Sequence, residues 1–420
     1  MKTFAMMVLG CKVNDYEATY LRNRLLSNDY KEVSFKEVAD IYVIFTCCVT
    51  NTAESKTRKM LHHARRLNPN AYIAAVGCYV QVKHDTSDFD DVDLLIGSKN
   101  KDKLFDLITM GVKSKQIESL DNHEFEDLYI EDYPGKSRAY LKVQDGCNQF
   151  CSYCIIPYAR GREISANHNK VIEQAKQLAK SRKELVLTGI HTGRYNDGEF
   201  NLYQLLSELC KIEGLETIRL SSIEVTEITD EIIDLMKNNK KIGRNLHIPV
   251  QSMSNKILKA MNRPYTFEEY LERIEYIRKE VPDISISTDL IVGFPEESEE
   301  DFSEILNGLD RAKFAFVHVF PYARKKGTVA DRMSGHLNND VKKCRVNQII
   351  NKQFAITNEF ISKFTGQELD LLIETRDDEY VYGYVKQYFY VKARGNGEIG
   401  DLVKVTIDEI KDGEALGHVS

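Results

Sequence analysis

Twice along this chain of 420 residues, apolar strand-like runs alternate with stretches of helical periodicity, and that alternation limits the possible folds more than any other feature. In residues 1–125, segments 3–9, 41–45 and 72–76 read as strands, and 16–26 and 50–67 as helices. Such a succession predicts a parallel sheet flanked by helices. A second series spans 133–360. Its strand candidates are 139–143, 184–188, 217–221, 245–250, 284–289 and 315–320, with helical patterns such as 169–180, 203–212, 267–279 and 299–309 between them. Six strand–helix units predict a partial (β/α)6 barrel, so that both domains are α/β. In 361–420 the pattern changes to short alternating strands, 368–374, 380–385 and 402–407, separated by glycines, which predicts a small carboxyl-terminal β-barrel.

In both α/β domains the loops after the strands' carboxyl ends gather on one edge, where such folds bind ligands. Cys11, Cys47 and Cys78 each follow one of the three amino-terminal strands, so cysteines far apart in sequence can meet in space. Polar clusters fall at the matching ends of the barrel strands, at 145–154, 188–192, 221–224, 251–252, 289–295 and 322–327. With 42% hydrophobic and 29% charged residues the composition is that of a globular protein. No apolar run approaches the roughly 20 residues of a membrane span. Val8-Leu9-Gly10-Cys11 superficially matches a lipoprotein cleavage site, but an export signal needs a charged start and an apolar stretch of about 7–15 residues before it. A cytoplasmic protein is expected. Nine cysteines in a reducing compartment are more often metal ligands or catalytic groups than disulfides. The net charge of -7 gives no global attraction to nucleic acid, so RNA contact would rest on local patches. Lys56, Arg58, Lys59, His62, His63, Arg65 and Arg66 form one, although a charged helix face is equally a solvated one.

The densest chemical signal is Cys147-Asn-Gln-Phe-Cys151-Ser-Tyr-Cys154. Three thiolates so closely spaced can bind three irons of a cubane cluster and leave the fourth open to a substrate. Zinc is the alternative, but a closed structural zinc site takes four ligands and no second CxxC lies nearby. This CxxxCxxC loop after the first barrel strand, with Tyr153 before its last cysteine, resembles the radical S-adenosylmethionine (SAM) superfamily. The resemblance implies a 4Fe-4S cluster on Cys147, Cys151 and Cys154. It further implies that SAM chelates the open iron and is cleaved reductively to methionine and a 5′-deoxyadenosyl radical. The cofactor then carries the hard chemistry while the protein positions it and excludes water.

Cys151-Ser-Tyr-Cys-Ile-Ile-Pro-Tyr-Ala-Arg-Gly-Arg162 is similar to the methylthiotransferases of that superfamily. So are Leu187-Thr-Gly-Ile-His191, His247-Ile-Pro-Val-Gln-Ser252, Ile291-Val-Gly-Phe-Pro295 and Phe320-Pro-Tyr322. Leu9-Gly-Cys-Lys-Val-Asn14, Thr46-Cys47 and Val76-Gly-Cys-Tyr79 extend the similarity, which runs to about Arg345, with a weaker match to the family's RNA-binding TRAM barrel in 361–420. The resemblance implies a second, auxiliary 4Fe-4S cluster on Cys11, Cys47 and Cys78 that delivers sulfur. Buried cysteines at strand ends are the alternative. Cys48 competes with Cys47, which is favoured because it follows the strand and Thr46 as in the family pattern.

Leu9-Gly-Cys-Lys-Val-Asn14 most resembles the branch that acts on N6-threonylcarbamoyladenosine at position 37 of tRNA. The branch acting on isopentenyladenosine has Tyr-Gly-Cys-Gln-Met-Asn there. The implied reaction removes hydrogen from C2 of the adenine, inserts sulfur and methylates it from a second SAM. Implied partners are the tRNA anticodon stem-loop, SAM and an electron donor such as a flavodoxin or ferredoxin. Tyr153 is implied at the SAM adenine, and Thr188, Gly189, Ser222, Gln251 and Gly293 along the cleft, although the two glycines could serve only as tight turns. No catalytic side chain beyond the clusters is implied. Arg160 and Arg162 are candidates for a carboxylate or phosphate contact, or a solvated pair. Met253, Glu296-Glu297-Ser298 and Ala323 depart from the family pattern and bear on pocket shape. Cys210 and Cys344 read as packing residues. Residues 361–420 hold seven Lys plus Arg against twelve Asp plus Glu, a poor RNA magnet. Their aromatic series Tyr380, Tyr382, Tyr384, Tyr388, Phe389 and Tyr390 could stack bases or fill a barrel core. Competing readings keep the chemistry on isopentenyladenosine or a ribosomal protein side chain, or replace it with non-catalytic tRNA binding around a structural metal.

Overall fold

The computed structural model describes residues 1–121, 124–411 and 413–420. Its first part comprises β1 (Thr3–Val8), α1 (Lys12–Leu26), β2 (Lys31–Glu32), β3 (Ile41–Thr46), α2 (Asn51–Leu67), β4 (Tyr72–Gly77), α3 (Cys78–Lys83), β5 (Leu94–Ile96), α4 (Leu104–Thr109) and β6 (Ser114–Gln116). The strands form one sheet in the order β2-β1-β3-β4-β5-β6, with every neighbouring pair parallel. All six residues of β3 are buried, as expected of a central parallel strand covered on both faces. Tyr42 and Ile44 enter one core and Ile41, Val43 and Phe45 the other. Strand order reverses at β1, so the crevice between the carboxyl ends of β1 and β3 is the switch point where open α/β sheets take ligands. Helix α1 begins at Lys12, earlier than its apolar periodicity announces, because its first turns bury polar groups: Asn14 Nδ2 donates to the carbonyls of Leu9 (2.6 Å) and Thr46 (2.9 Å).

The second part comprises β7 (Ala139–Lys142), β8 (Gln144–Asp145), α5 (Ile156–Arg160), β9 (Ile164–Ser165), α6 (His168–Leu178), β10 (Glu184–Thr188), α7 (Leu202–Leu209), β11 (Thr217–Leu220), α8 (Asp230–Asn238), β12 (Asn245–His247), α9 (Asn255–Ala260), α10 (Phe267–Glu280), β13 (Ser285–Val292), α11 (Glu299–Ala312) and β14 (Phe316–Pro321). Parallel sheets β7-β10-β11 and β12-β13-β14 are joined by the parallel bridges Ile218–Ile242 and Ser222–His247, giving six strands in sequence order around an open half-barrel. Helices α7, α10 and α11 open on capping boxes, Asn201 with Gln204, Thr266 with Glu269 and Ser298 with Asp301. β12 stops short of residue 250: Pro249 has no N–H to donate, and the Val250 N–H goes to the Thr288 hydroxyl at 2.9 Å.

A long helix, α12 (Asn339–Ser362), leads to β15 (Glu368–Arg376), β16 (Tyr380–Val385), β17 (Tyr390–Arg394), β18 (Leu402–Lys411) and β19 (Glu414–Val419), which close as a barrel in the order β15-β16-β17-β19-β18. Val381, Val385, Leu371, Ile373, Val391 and Ile407 fill it, while Tyr380, Tyr382 and Tyr384 stand half-buried on the outer face. The tyrosines are therefore not the barrel core. Among the described residues no helix is long and apolar enough to cross a membrane.

Five buried charges join the sheet to the half-barrel: Glu17 on α1, Lys101, Lys142 on β7, Asp145 and Arg160. Glu17 Oε1 lies 2.6 Å from Arg160 Nη1, 3.2 Å from Lys142 Nζ and 3.3 Å from Lys101 Nζ. Burial alone would raise the Glu17 carboxyl, but Arg160, Lys101 and Lys142 hold it down at about 2. Its folded value lies below its ordinary 4.5, so the stability it contributes is present above that pH and lost as pH falls toward about 2. Acid titration should therefore show unfolding in that window, and Glu17→Gln should flatten it; an unchanged acid midpoint in the variant would contradict the assignment.

Candidate active site

The cysteine-rich loop leaves β8 at Gly146, which has φ +67°, and a Cβ there would lie 1.9 Å from the Arg162 carbonyl oxygen. Only glycine permits both the conformation and the approach. Ser152, buried at mid-loop, fastens the loop to α9: its hydroxyl donates to the Ala260 carbonyl (2.7 Å) and its N–H to that of Met261 (3.0 Å). The Cys147 Sγ lies 3.4 Å from His191 Nδ1, and His191 Nε2 lies 2.8 Å from Glu227. Burial opposes the charged imidazole, but Cys147 and Glu227 on either side raise it to about 10. Arg263 donates to the Cys151 Sγ at 3.6 Å and is held by Glu224 and Tyr265. Burial, with Cys151 nearby, pushes the Cys154 thiol up to about 12.

The other three cysteines stand at the switch-point edge of the sheet. Cys11 caps α1, Cys47 follows β3 and Cys78 opens α3. A Cβ on Gly10 would meet the Cys47 Cβ at 2.8 Å and Sγ at 3.0 Å, so β1 and β3 approach this closely only because residue 10 has no side chain. Cys78 is held down at about 6, first by a hydrogen bond from the Cys48 thiol and then by Arg160, whose Nε lies 3.1 Å from its Sγ. Cys48 is buried and serves Cys78 as a donor. Among the described residues no three His, Cys, Asp or Glu side chains converge to hold a single ion. Cys147, Cys151 and Cys154 line one cavity wall together, with His191 beside Cys147 and Arg263 donating to Cys151. Three thiols on one wall are the donor set of a cubane cluster that keeps one iron open, and among the described residues no fourth ligand joins them to close a structural zinc site.

Cys11, Cys147, Cys151 and Cys154 face one cavity of about 610 Å3, whereas Cys47 and Cys78 are buried and do not line it. Cys11 lies on its amino-terminal wall, and Cys147, Cys151 and Cys154 on the half-barrel wall. Tyr153, Thr188, Gly189, Ser222 and Gln251 also line it. Gln251 has φ +70°, a strained conformation for a residue with a side chain, with its N–H on the Asp289 carbonyl at 2.9 Å. Gly293 is not part of the cavity: it turns at φ +71° against Lys342. Nor do the two arginines reach it. Arg160 is buried in the charge network, and Arg162 lies 4.5 Å over the Phe150 ring on the outside. Met253 packs in the main core and Glu297 pairs with Arg345, so these departures from the family pattern lie outside the cavity. Cys344 is exposed rather than packed. His191 stands within a recognisable motif, whereas Arg263 meets Cys151 across more than a hundred residues and carries no local signal.

Residues 141–309 match the family model described as the radical SAM superfamily, and residues 3–97 match one described as uncharacterized protein family UPF0004. A parallel half-barrel with a CxxxCxxC loop at its mouth and this match defines the class, a radical SAM enzyme. The threonylcarbamoyladenosine tRNA methylthiotransferase MtaB of Bacillus subtilis (strain 168) is 39% identical over 97% of this chain and 94% of its own. MtaB of Aquifex aeolicus is 38% identical over 96% and 99%. A tRNA-2-methylthio-N(6)-dimethylallyladenosine synthase of Thermodesulfovibrio yellowstonii is 33% identical over 97% and 95%. The chain belongs to the radical SAM methylthiotransferase family. Among solved structures, the methyltransferase TsrM from Kitasatospora setae shares the fold at 14% identity, with a TM-score of 0.57 over 79% of this chain and 77% of that one.

Proposed function

We propose that this enzyme converts N6-threonylcarbamoyladenosine at position 37 of tRNA to its 2-methylthio derivative in the cytoplasm, with a flavodoxin or ferredoxin as electron donor. The observation that carries it is the single cavity with Cys11 on one wall and Cys147, Cys151 and Cys154 on the other, because one carbon can then meet both halves of the reaction. Cys147, Cys151 and Cys154 would hold the SAM-binding 4Fe-4S cluster, and Cys11, Cys47 and Cys78 the auxiliary one. When bound, these groups supply the adenosyl radical that takes hydrogen from C2 and the sulfur that replaces it. The chain's own residues position and enclose. Tyr153, Thr188, Gly189, Ser222 and Gln251 shape the SAM side of the cleft, while His191 stands beside Cys147 and the Arg263 guanidinium donates to Cys151 and favours negative charge there. Three units divide the work: 1–125 for sulfur delivery, 133–360 for radical formation and the barrel 361–420 for docking RNA.

Dimethylallyladenosine synthases 32–36% identical to the chain make that neighbouring substrate the second reading. The anaerobically reconstituted protein should be given anticodon stem-loops bearing either nucleoside, and the digests read by mass spectrometry. Methylthiolation of the threonylcarbamoyl RNA is expected; product from the dimethylallyl RNA alone would overturn the proposal.

A further inference from the structure

A second cavity, about 480 Å3, adjoins the first and shares Lys12, Ser221 and Ser222 with it. One wall is the half-barrel, with Arg219, His247 and His318; the other is the outer face of the carboxyl-terminal barrel, with Tyr384, Tyr388 and Tyr390. Lys12 stands at the seam. Among the described residues it makes no hydrogen bond or ion pair, although it is half-buried. The nearby carboxylates are already engaged: Glu184 lies 3.0 Å from both Arg138 and Arg219, Glu374 pairs with Arg138, and Asp289 lies 3.3 Å from His247. Tyr384 and Tyr388 stack at 4.7 Å, with Arg219 over the Tyr388 ring at 4.9 Å. The cavity thus offers an ammonium with no hydrogen-bond partner among the described residues, two imidazoles and aromatic faces, and an anionic ligand would give Lys12 that partner.

Substrate chemistry supplies such an anion. C2 and the N6 substituent of adenine flank N1 on the same edge of the ring. A base whose C2 faces the Cys11 wall presents its N6 group on the same ring edge, and Lys12, next to Cys11 in the chain, lines both cavities. We infer that Lys12 binds the carboxylate of the N6-threonylcarbamoyl group, with the cavity between half-barrel and carboxyl-terminal barrel housing the threonyl moiety. This rests on the proposed substrate. It makes Lys12 a specificity determinant, since a dimethylallyl group offers it no partner.

An RNA phosphate would also satisfy a lysine, and the test separates the two. Binding of the cluster-loaded protein to the threonylcarbamoyl stem-loop and to its carboxylate methyl ester is measured by fluorescence anisotropy. Wild type should bind the acid about tenfold more tightly than the ester, the worth of one charge-assisted hydrogen bond. Lys12→Met should bind both equally, at the ester's affinity, and Lys12→Arg should restore the preference. Equal weakening toward both RNAs in Lys12→Met would mean a phosphate contact, and no weakening would mean no contact; either overturns the inference. Iron content checks that the variant keeps its clusters, and Lys12→Gln replaces Lys12→Met if it does not. If wild type methylthiolates no threonylcarbamoyl RNA, the functional proposal falls; if it does so but binds acid and ester alike, only the role of Lys12 falls.

Discussion

A Cys147/Cys151/Cys154→Ala triple variant is expected to keep about four of about eight irons and to lose SAM cleavage altogether. The fold should survive. These thiols are only partly buried at the rim of a cavity, while the loop itself is held by Ser152 on α9 and by the Gly146 turn, neither of which the substitutions touch. The complementary Cys11/Cys47/Cys78→Ala variant should keep SAM cleavage and lose only methylthiolation, because its thiols stand at the edge of the first sheet, apart from the loop at 147–154. Cys48 adds a discriminating arm: it is buried beside Cys78, so a Cys47→Ala variant that keeps all its iron would identify Cys48 as the replacement ligand. Anaerobic iron and sulfide determination with electron paramagnetic resonance reads each outcome. Four or fewer irons in fully reconstituted wild type would sink the two-cluster proposal.

Much of this fold is legible because burial follows a period. β3 is apolar throughout and central in a parallel sheet, and α10 and α11 announce themselves through both their apolar stripe and their capping boxes. Legibility fails where polar side chains are buried or a turn lacks its usual residues. The start of α1 hides behind Asn14 and Glu17, which are interior groups. The turn before β17 places Tyr388 at φ +62°, a conformation usually signalled by glycine or asparagine, so no local residue marks where that strand begins. Placement of Cys11, Cys47 and Cys78 after successive strands follows from the alternation alone, since parallel strands deliver their loops to one edge. Nothing local, in contrast, tells that Arg263 reaches Cys151, or that Gly293 turns away from the cavity. Such contacts are set by tertiary packing.

Arg160→Met is expected to cost about 3–5 kcal/mol of stability, the range for removing one partner from a buried ion pair. Beside Gly161 and Arg162, Arg160 reads from the sequence as a carboxylate or phosphate contact or as one of a solvated pair; in the structure it is fully buried and all five of its N–H donors are used. Nε donates to the Cys78 Sγ at 3.1 Å. Nη1 donates to Glu17 at 2.6 Å and Asp145 at 3.1 Å, and Nη2 to Asn14 at 2.7 Å and Glu17 at 3.3 Å. Lysine has three donors on one point charge and cannot reproduce this fork, so Arg160→Lys should recover only part of the loss. Charge balance sharpens the expectation. Glu17, Asp145 and Glu126 face Lys101, Lys142 and Arg160, and Arg160 in addition holds the Cys78 thiol down. Losing the guanidinium therefore raises the Cys78 thiol as well as unpairing two carboxylates, and a thiol is a poorer iron ligand than a thiolate. Denaturant unfolding should show the lower midpoint, and iron analysis of the surviving folded protein should show depletion while SAM cleavage persists. Glu17→Gln combined with Arg160→Met should cost less than the two single changes added together, because each single change leaves the other's partner unmet. Strict additivity, or a wild-type midpoint in Arg160→Met, would mean that the domains are held together by their apolar contacts and that the charge network is incidental.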